Sequence, residues 1–313
     1  MYAVFRKELA DHFNSKRFTI LFLLTFLVGI FAVYVATQNI RSQVTNDTVC
    51  IFLKLFTTTG EQMPLSFLFL ISIFIPIIGI AFGFDAINSE RASGNLSRLL
   101  SQPIYRDSVI NGKFLAGLSV MGLMIVSVIV IVAGLGLYII GVPPNSEEVM
   151  RLIVFAVISV VYGAFWMALS IVFSVFFNRA ATSMLASLGL WIFFFFFMQM
   201  ISTAIANAQV PIDSNSSAAL ITHHYAVQGM VARISPLTLY QESIAVLLIP
   251  ELGSLNPALM AISLSSAGRM LTPLALGQSL LLTWPQTVSI IALAAICFAI
   301  SYLGFMRQEI RST

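Results

Sequence analysis

The sequence predicts an all-α integral membrane protein with six spanning helices, a short interfacial helix ahead of the first and a helical outer segment between the fifth and sixth. Three observations predict it. Of 313 residues, 58% are hydrophobic and only 9% charged, and the mean hydropathy is +0.95. A soluble domain carries about 25% charged residues, so this much apolar surface needs lipid as its solvent. Six stretches also reach the roughly 20 apolar residues needed to cross the hydrocarbon, and the cations fall unevenly between the two sets of connections that those stretches define.

Residues 1–17 come first. Arg6, Lys7, Glu8 and Asp11 are interleaved with Tyr2, Val4, Phe5, Leu9 and Phe13, the pattern of an amphipathic helix lying at a membrane interface. The spans follow at 18–37, 64–84, 114–141, 152–177, 182–206 and 285–306. The first is longer than a signal-peptide core and no small-residue cleavage pattern follows it, so it is expected to stay in the mature chain. The 38–63 connection includes a short amphipathic piece around residues 49–57. Small residues at four-residue spacing, Gly79 and Gly83, Ala164 and Ala168, Ala295 and Ala299, let helices approach closely. The run Phe193 to Phe197 covers every helix face and reads as packing or lipid-facing surface.

The longest connection, 207–284, contains Pro211, Pro236, Pro250, Pro257 and Pro273. It exceeds ordinary loop length, so it must hold structure of its own or be functional. Its 237–249 portion is apolar but too short to span, and is expected to rest on or dip into the outer leaflet.

Orientation follows from the cations, which are retained on the cytoplasmic side. Arg6, Lys7, Lys16, Arg17, Arg91, Arg98, Arg106, Lys113, Arg179, Arg307 and Arg311 fall in one set of connections, and Arg41, Lys54, Arg151, Arg233 and Arg269 in the other. Both termini are therefore expected inside, in a cell (inner or cytoplasmic) membrane.

Several function classes are disfavoured. A formal net charge of +3 gives no general basicity for nucleic acid. Cys50 and Cys297 make neither a disulfide framework nor a metal cluster. The adjacent His223 and His224 read as plain polar surface, and no nucleophile–base constellation is evident. Ion-coupled carriers need ionisable groups inside the bundle, and none stands mid-span here. The only Gly-Lys pair, Gly112-Lys113, is followed by Phe114 and has Asp107 where a phosphate-binding loop needs its first glycine. An ATP motor, if there is one, belongs to a partner chain.

The connection at 85–113 is the most charged part of the chain. Asp85 opens it, Glu90 and Arg91 follow, then Gly94, Leu96, Leu99, Leu100 and Pro103, and Gly112-Lys113 closes it. Leu96, Leu99 and Leu100 at i, i+3 and i+4 give one apolar edge to a short helix, with a proline stop. Such a helix can seat leucines in a partner's groove while the charges set register. The order Asp, Glu-Arg, Gly, Leu-Leu-Ser-x-Pro-Ile and Gly-Lys resembles the first cytoplasmic loop of the permease subunits of ABC-2 type ATP-binding-cassette transporters. Phe5-Arg6-Lys7-Glu8-Leu9 is similar to that family's elbow before the first span. Phe305-Met306-Arg307-Gln308-Glu309-Ile310-Arg311 is similar to its closing segment, and Ser235-Pro236 with Tyr240 to an outer Ser-Pro element.

The resemblance implies a single transmembrane domain over 1–313, with an elbow helix at 1–17, a cytoplasmic coupling loop at 85–113 and an extracytoplasmic segment at 207–284. It implies two copies of an ATPase subunit that bind ATP and magnesium, and a second permease copy in a homodimer. This chain would itself hold no cofactor and catalyse nothing. Asp85, Glu90, Arg91, Gly94, Leu96, Leu99, Leu100 and Pro103 would form the coupling helix that touches the ATPase, with Arg6, Lys7 and Glu8 of the elbow flanking it. The function expected is export coupled to ATP hydrolysis. The alternative is an ATPase-driven scaffold that serves an extracytoplasmic partner docked on 207–284, of the nitrous-oxide reductase maturation kind.

Overall fold

A computed structural model describes residues 1–43, 51–58, 66–92, 94, 105–141, 143–213, 216–252, 254–255 and 273–307. Among these residues there are helices and turns but no strand. The helices in chain order are α1 (Tyr2–Phe13), α2 (Lys16–Gln43), α3 (Ile51–Thr57), α4 (Phe67–Gly83), α5 (Asn88–Ala92), α6 (Arg106–Ile140), α7 (Ser146–Phe176), α8 (Ala180–Ile192), a π-turn (Phe193–Phe197), α9 (Met198–Gln209), α10 (Ala218–Ala232), α11 (Pro236–Leu248) and α12 (Leu276–Arg307). Six segments are long and apolar enough to cross a membrane: Lys16–Ala36, Phe67–Ala92, Arg106–Ile139, Ser146–Phe176, Ala180–Gln209 and Leu276–Arg307. Each overlaps one of the six expected spans.

Local chemistry sets several of the boundaries. Ser66 accepts the Phe69 N–H at 3.2 Å and starts α4, and Ser15 accepts the Phe18 N–H at 3.1 Å at the α1–α2 corner. Asn145 and Glu148 form a capping box that opens α7. Gly141, at φ 76°, closes α6 in a left-handed turn that glycine adopts without strain. Pro236 stands in the first turn of α11, where its missing N–H costs nothing.

The core forms where α4 crosses α7. A Cβ on Gly79 would lie 2.8 Å from the Gly163 carbonyl, and one on Gly83 would lie 2.6 Å from the Met167 carbonyl. The GxxxG pair thus serves a contact within the chain, with backbones closer than any side chain allows. Ala164 and Ala168 are buried in the same helix, whereas Ala295 and Ala299 are exposed. The short amphipathic helix α3 is a core element. Phe52, Leu53, Leu55 and Phe56 are all buried, and Phe56 meets Phe67 and Phe155 edge-on at 5.3 and 6.4 Å.

The connection after α9 enters the bundle. Gln228 donates to Thr203 at 2.9 Å, and the His224 Nδ1 lies 2.7 Å from the Val210 carbonyl, so α10 folds back along α9. His224 is accordingly buried, unlike the exposed histidine pair expected from sequence. The chain then turns at Arg233–Ser235 and α11 runs back between α4, α7 and α12. Tyr240 of α11 is fully buried and stacks on Tyr162, at the midpoint of α7, with centroids 4.2 Å apart and rings 5° from parallel. Its hydroxyl also meets Ser159 at 2.8 Å. The 237–249 portion therefore reaches well past the ends of the spans it packs against, deeper than a surface helix. Arg233 pairs with Glu242 at 2.9 Å, and Gln286 of α12 donates to the same carboxylate at 3.0 Å. The Glu242 carboxylate thus takes both a guanidinium and an amide N–H beneath the hairpin.

Candidate coupling site at the α1 end

The charged residues that the sequence singles out converge where α1, the 84–92 turn and the start of α6 meet. Three helices reach this place for different reasons. Helix α1 lies on α6 because Gly112 leaves room for it: a Cβ there would stand 2.9 Å from Val4 Cγ1 and 3.3 Å from the Phe5 nitrogen. The next residue, Lys113, is thereby directed under α1. The 84–92 turn is fixed by α7, whose Ser174 hydroxyl accepts the Ile87 and Asn88 N–H groups at 3.0 and 3.2 Å. That bond satisfies backbone donors that the tight turn would otherwise leave buried without partners.

The Lys113 ammonium is the centre of the cluster. It lies 3.0 Å from Glu8 of α1 and 2.8 Å from Glu90 of α5, and all three side chains are almost hidden from solvent, at 8%, 9% and 12% exposure. Lys7 closes the ring from outside, 3.1 Å from Glu8, 3.4 Å from Asp11 and 3.7 Å from Glu90. Burial alone would push the Glu8 carboxyl up, but Lys113 and Lys7 outweigh it and hold the group below its ordinary value. Burial pulls Lys7 down, and Glu8, Glu90 and Asp11 together raise it above the ordinary lysine value. The cluster is therefore a network that favours the charged forms of Glu8 and Lys7. Such a network ties its members in register, because removing one partner strands the other.

A second tie lies beside it. Arg17, at the start of α2, pairs with Asp85 and places its guanidinium 5.0 Å from the centre of the Phe84 ring. Arg91 donates to Asn178, just past the end of α7, at 3.0 Å. His12 stands edge-on to Phe82 at 5.1 Å, and burial lowers its pKa.

Of the expected coupling and elbow residues, Lys7, Glu8 and Glu90 meet in one cluster, Asp85 and Arg91 anchor the same turn to α2 and to the residue after α7, and Gly94 continues from it. Gly94 has φ 70° and its N–H donates to the Arg91 carbonyl at 3.2 Å. Arg6 does not join the cluster; it is exposed and lies over the Tyr2 ring at 5.8 Å. Leu96, Leu99, Leu100 and Pro103 lie outside the described residues. Sequence reasoning missed Lys113, Asp11, Arg17, Ser174 and Asn178 as members of the site. The signal for Lys113 was present in Gly112-Lys113, a small residue and a cation placed together at the head of a long apolar helix.

No group of three or more histidine, cysteine, aspartate or glutamate side chains able to hold a metal occurs among the described residues. What the arrangement can do is mechanical: a displacement of the loop after α5 reaches α1 through Glu90 and Lys113, α2 through Asp85, and α7 through Ser174 and Asn178.

Comparison with known proteins agrees with this architecture. A search of curated proteins returned no match. The family model described as ABC-2 family transporter protein matches residues 2–310, nearly the whole chain. The six apolar helices make the protein a multi-pass membrane protein. The chain belongs to the ABC-2 transporter family, the membrane-spanning kind whose members pair with an ATP-binding-cassette ATPase subunit.

Proposed function

We propose that this chain is the permease half of an ATP-driven exporter in a cell membrane, with both termini in the cytoplasm. Two copies of a separate ATPase subunit hold the ATP and magnesium. Two copies of the permease pair as a homodimer around the path. The ATPase docks on the coupling loop at 85–113, seating Leu96, Leu99 and Leu100, while α1 flanks the contact.

The observation that supports this reading best is the buried Lys113 bridge between Glu8 and Glu90. A loop that only met solvent would have no need of a desolvated cation linking it to two further helices, since surface ion pairs contribute little. A loop that receives a push from a motor does need it, because the push must arrive at the spans and not be absorbed locally.

The test is Leu99→Asp in the assembled complex, with copurification of the ATPase, ATP turnover and substrate movement measured on one preparation. The six spans should stay inserted, because the residue lies in the connection between them. The ATPase should be lost or its turnover uncoupled from transport. A complex that stays intact and fully coupled would remove this mechanism.

A further inference from the structure

Ser235-Pro236 and Tyr240 stand together in the sequence, and the coupling cluster uses none of them. They open α11, the helix that enters the bundle. Arg151 meets the Leu247 carbonyl near one end of α7, and Tyr240 stacks on Tyr162 at its midpoint, so α11 runs antiparallel to α7. Ser235 stands five residues before Tyr240, about 7 Å farther along at 1.5 Å per residue. The start of α11 therefore lies past the middle of a spanning helix, at a depth where backbone polar groups have no bulk water to turn to.

Three hydrogen-bond donors meet at that point without partners. Regular helical bonding begins only at Leu239, whose N–H donates to the Ser235 carbonyl at 3.2 Å. Pro236 has no N–H, which leaves the Leu237 and Thr238 amides, and neither finds an acceptor among the described residues. Ser235 is the N-cap, in the extended conformation (φ −78°, ψ 126°) that lays an N-cap side chain over those two amides. Its hydroxyl caps neither. The residue is 1% exposed, and its oxygen has no partner among the described residues. Leu237 is buried as well, while Thr238, half-buried, gives access from the surface. Buried N–H groups left this way are rare, and each calls for an explanation.

The surrounding charges favour an anion and limit it to one charge. Helix α10 ends at the same turn, but three of its last four carbonyls are occupied: Arg233, Ile234 and Ser235 donate their N–H groups to Gly229, Val231 and Ala232 at 3.0, 3.2 and 2.9 Å. What the turn leaves open is the N-terminus of α11, which carries about half a positive charge. Glu242, the one carboxylate of α11, is matched by Arg233 at 2.9 Å, and the pair brings no net charge. A dianion would have nothing to balance its second charge.

We propose that the N-terminus of α11 binds a single small monovalent anion of the halide kind, held by the Leu237 and Thr238 N–H groups and the Ser235 hydroxyl. Backbone amides at a helix start take an anion without needing a cation of their own. The anion replaces the missing cap and fixes the turn between α10 and α11 in the bundle.

The probe is chloride. The full chain in phosphatidylcholine nanodiscs, whose lipid has no net charge, is followed as potassium chloride replaces potassium gluconate at constant ionic strength, so that screening stays fixed. Amide exchange at Leu237 and Thr238 should slow saturably, and the melting temperature should rise with the logarithm of chloride concentration once the site fills. Bromide should act alike, and sulfate at equal ionic strength should not. Ser235→Ala removes a hydroxyl that bonds nothing in the protein, so in gluconate it should melt with the wild type. Its half-saturation by chloride should rise about tenfold, the loss of one charge-assisted hydrogen bond. Ser235→Asp places a fixed anion at the cap, where aspartate takes the same amides. It should protect Leu237 and Thr238 in gluconate and remove the response to chloride.

Exchange and melting that are the same in chloride and gluconate would overturn the proposal, because water would then be the cap. So would an equal response to sulfate, which marks a general salt effect, or a chloride response that persists unchanged in Ser235→Ala or in Ser235→Asp. None of these outcomes touches the permease reading, which Leu99→Asp tests separately.

Discussion

The Lys113 ammonium lies 2.8 Å from the Glu90 carboxylate, with both side chains nearly hidden from solvent, and the same nitrogen holds Glu8 at 3.0 Å. Lys113→Met should therefore strand two carboxylates beside each other. Breaking a buried pair costs about 3–5 kcal/mol, so a fall in melting temperature that high salt cannot reproduce in the wild type is expected. Lys113→Met combined with Glu8→Gln should recover part of the loss, since the two positions share one network. Equal stability of wild type and Lys113→Met would show that the bridge holds nothing.

Docking of α1 should weaken on mild acidification. Burial holds the His12 pKa below the 6.5 of a free imidazole, in a surrounding where Glu8, Asp11 and Asp85 pull it up and Lys113 pulls it down. The undocked histidine thus binds a proton first, and below about pH 6.5 protonation favours the undocked state. Glu8 works in a lower window: its depressed carboxyl supports docking above its ordinary value of 4.5, and that support is lost as pH falls through its lowered one. Hydrogen exchange over residues 2–13, corrected for its intrinsic pH dependence, should quicken between pH 7 and 5.5 in the wild type but not in His12→Phe. Identical profiles would refute this.

Much of this fold was legible in advance because hydrocarbon is an exacting solvent. Every span had to be a long apolar run, and each showed as one. The depth of α11 was not legible, since Leu237 to Leu248 is as apolar as an interfacial helix, and only its partners Tyr162 and Arg151 reveal that it sits inside the bundle. The π-turn was hidden for a related reason: five identical phenylalanines carry no periodicity that distinguishes an α-turn from a wider one. At the candidate coupling site the charges were visible but not their pairing. Glu8 and Glu90 stand 82 positions apart in sequence, and the cation that joins them comes from a third helix.

The orientation proposed above, read from the cation split, would have Ser146 and Ser216 outside the membrane and Ser93 and Thr313 inside. In a background lacking Cys50 and Cys297, an impermeant thiol reagent added to intact cells should modify Ser146→Cys and Ser216→Cys only. Modification of Ser93→Cys would reverse the orientation, and with it the assignment of the Lys113 cluster to the motor side.

Arg151 should be the residue whose conservative replacement most disturbs the other end of the bundle. Its guanidinium is fully buried and donates to the Leu247 carbonyl at 2.7 Å, to the Ser279 hydroxyl at 3.2 Å, to the Leu274 carbonyl and to Glu147 at 2.9 Å. Glu147 in turn accepts the Leu276 N–H at 3.0 Å. One side chain thereby fastens the end of α11 to the start of α12. A lysine is a point charge with no planar fork and cannot meet these acceptors together. Arg151→Lys should cost about 1–3 kcal/mol for each buried carbonyl left unsatisfied. Glu147→Gln should cost far less, because half of that side chain is in solvent and exposed pairs contribute about 0–1 kcal/mol. Hydrogen exchange should localise the Arg151→Lys damage to residues 236–248 and 276–283 and leave α1 protected. Loss spread evenly over the chain, or none at all, would show that Arg151 does not act as this fastening.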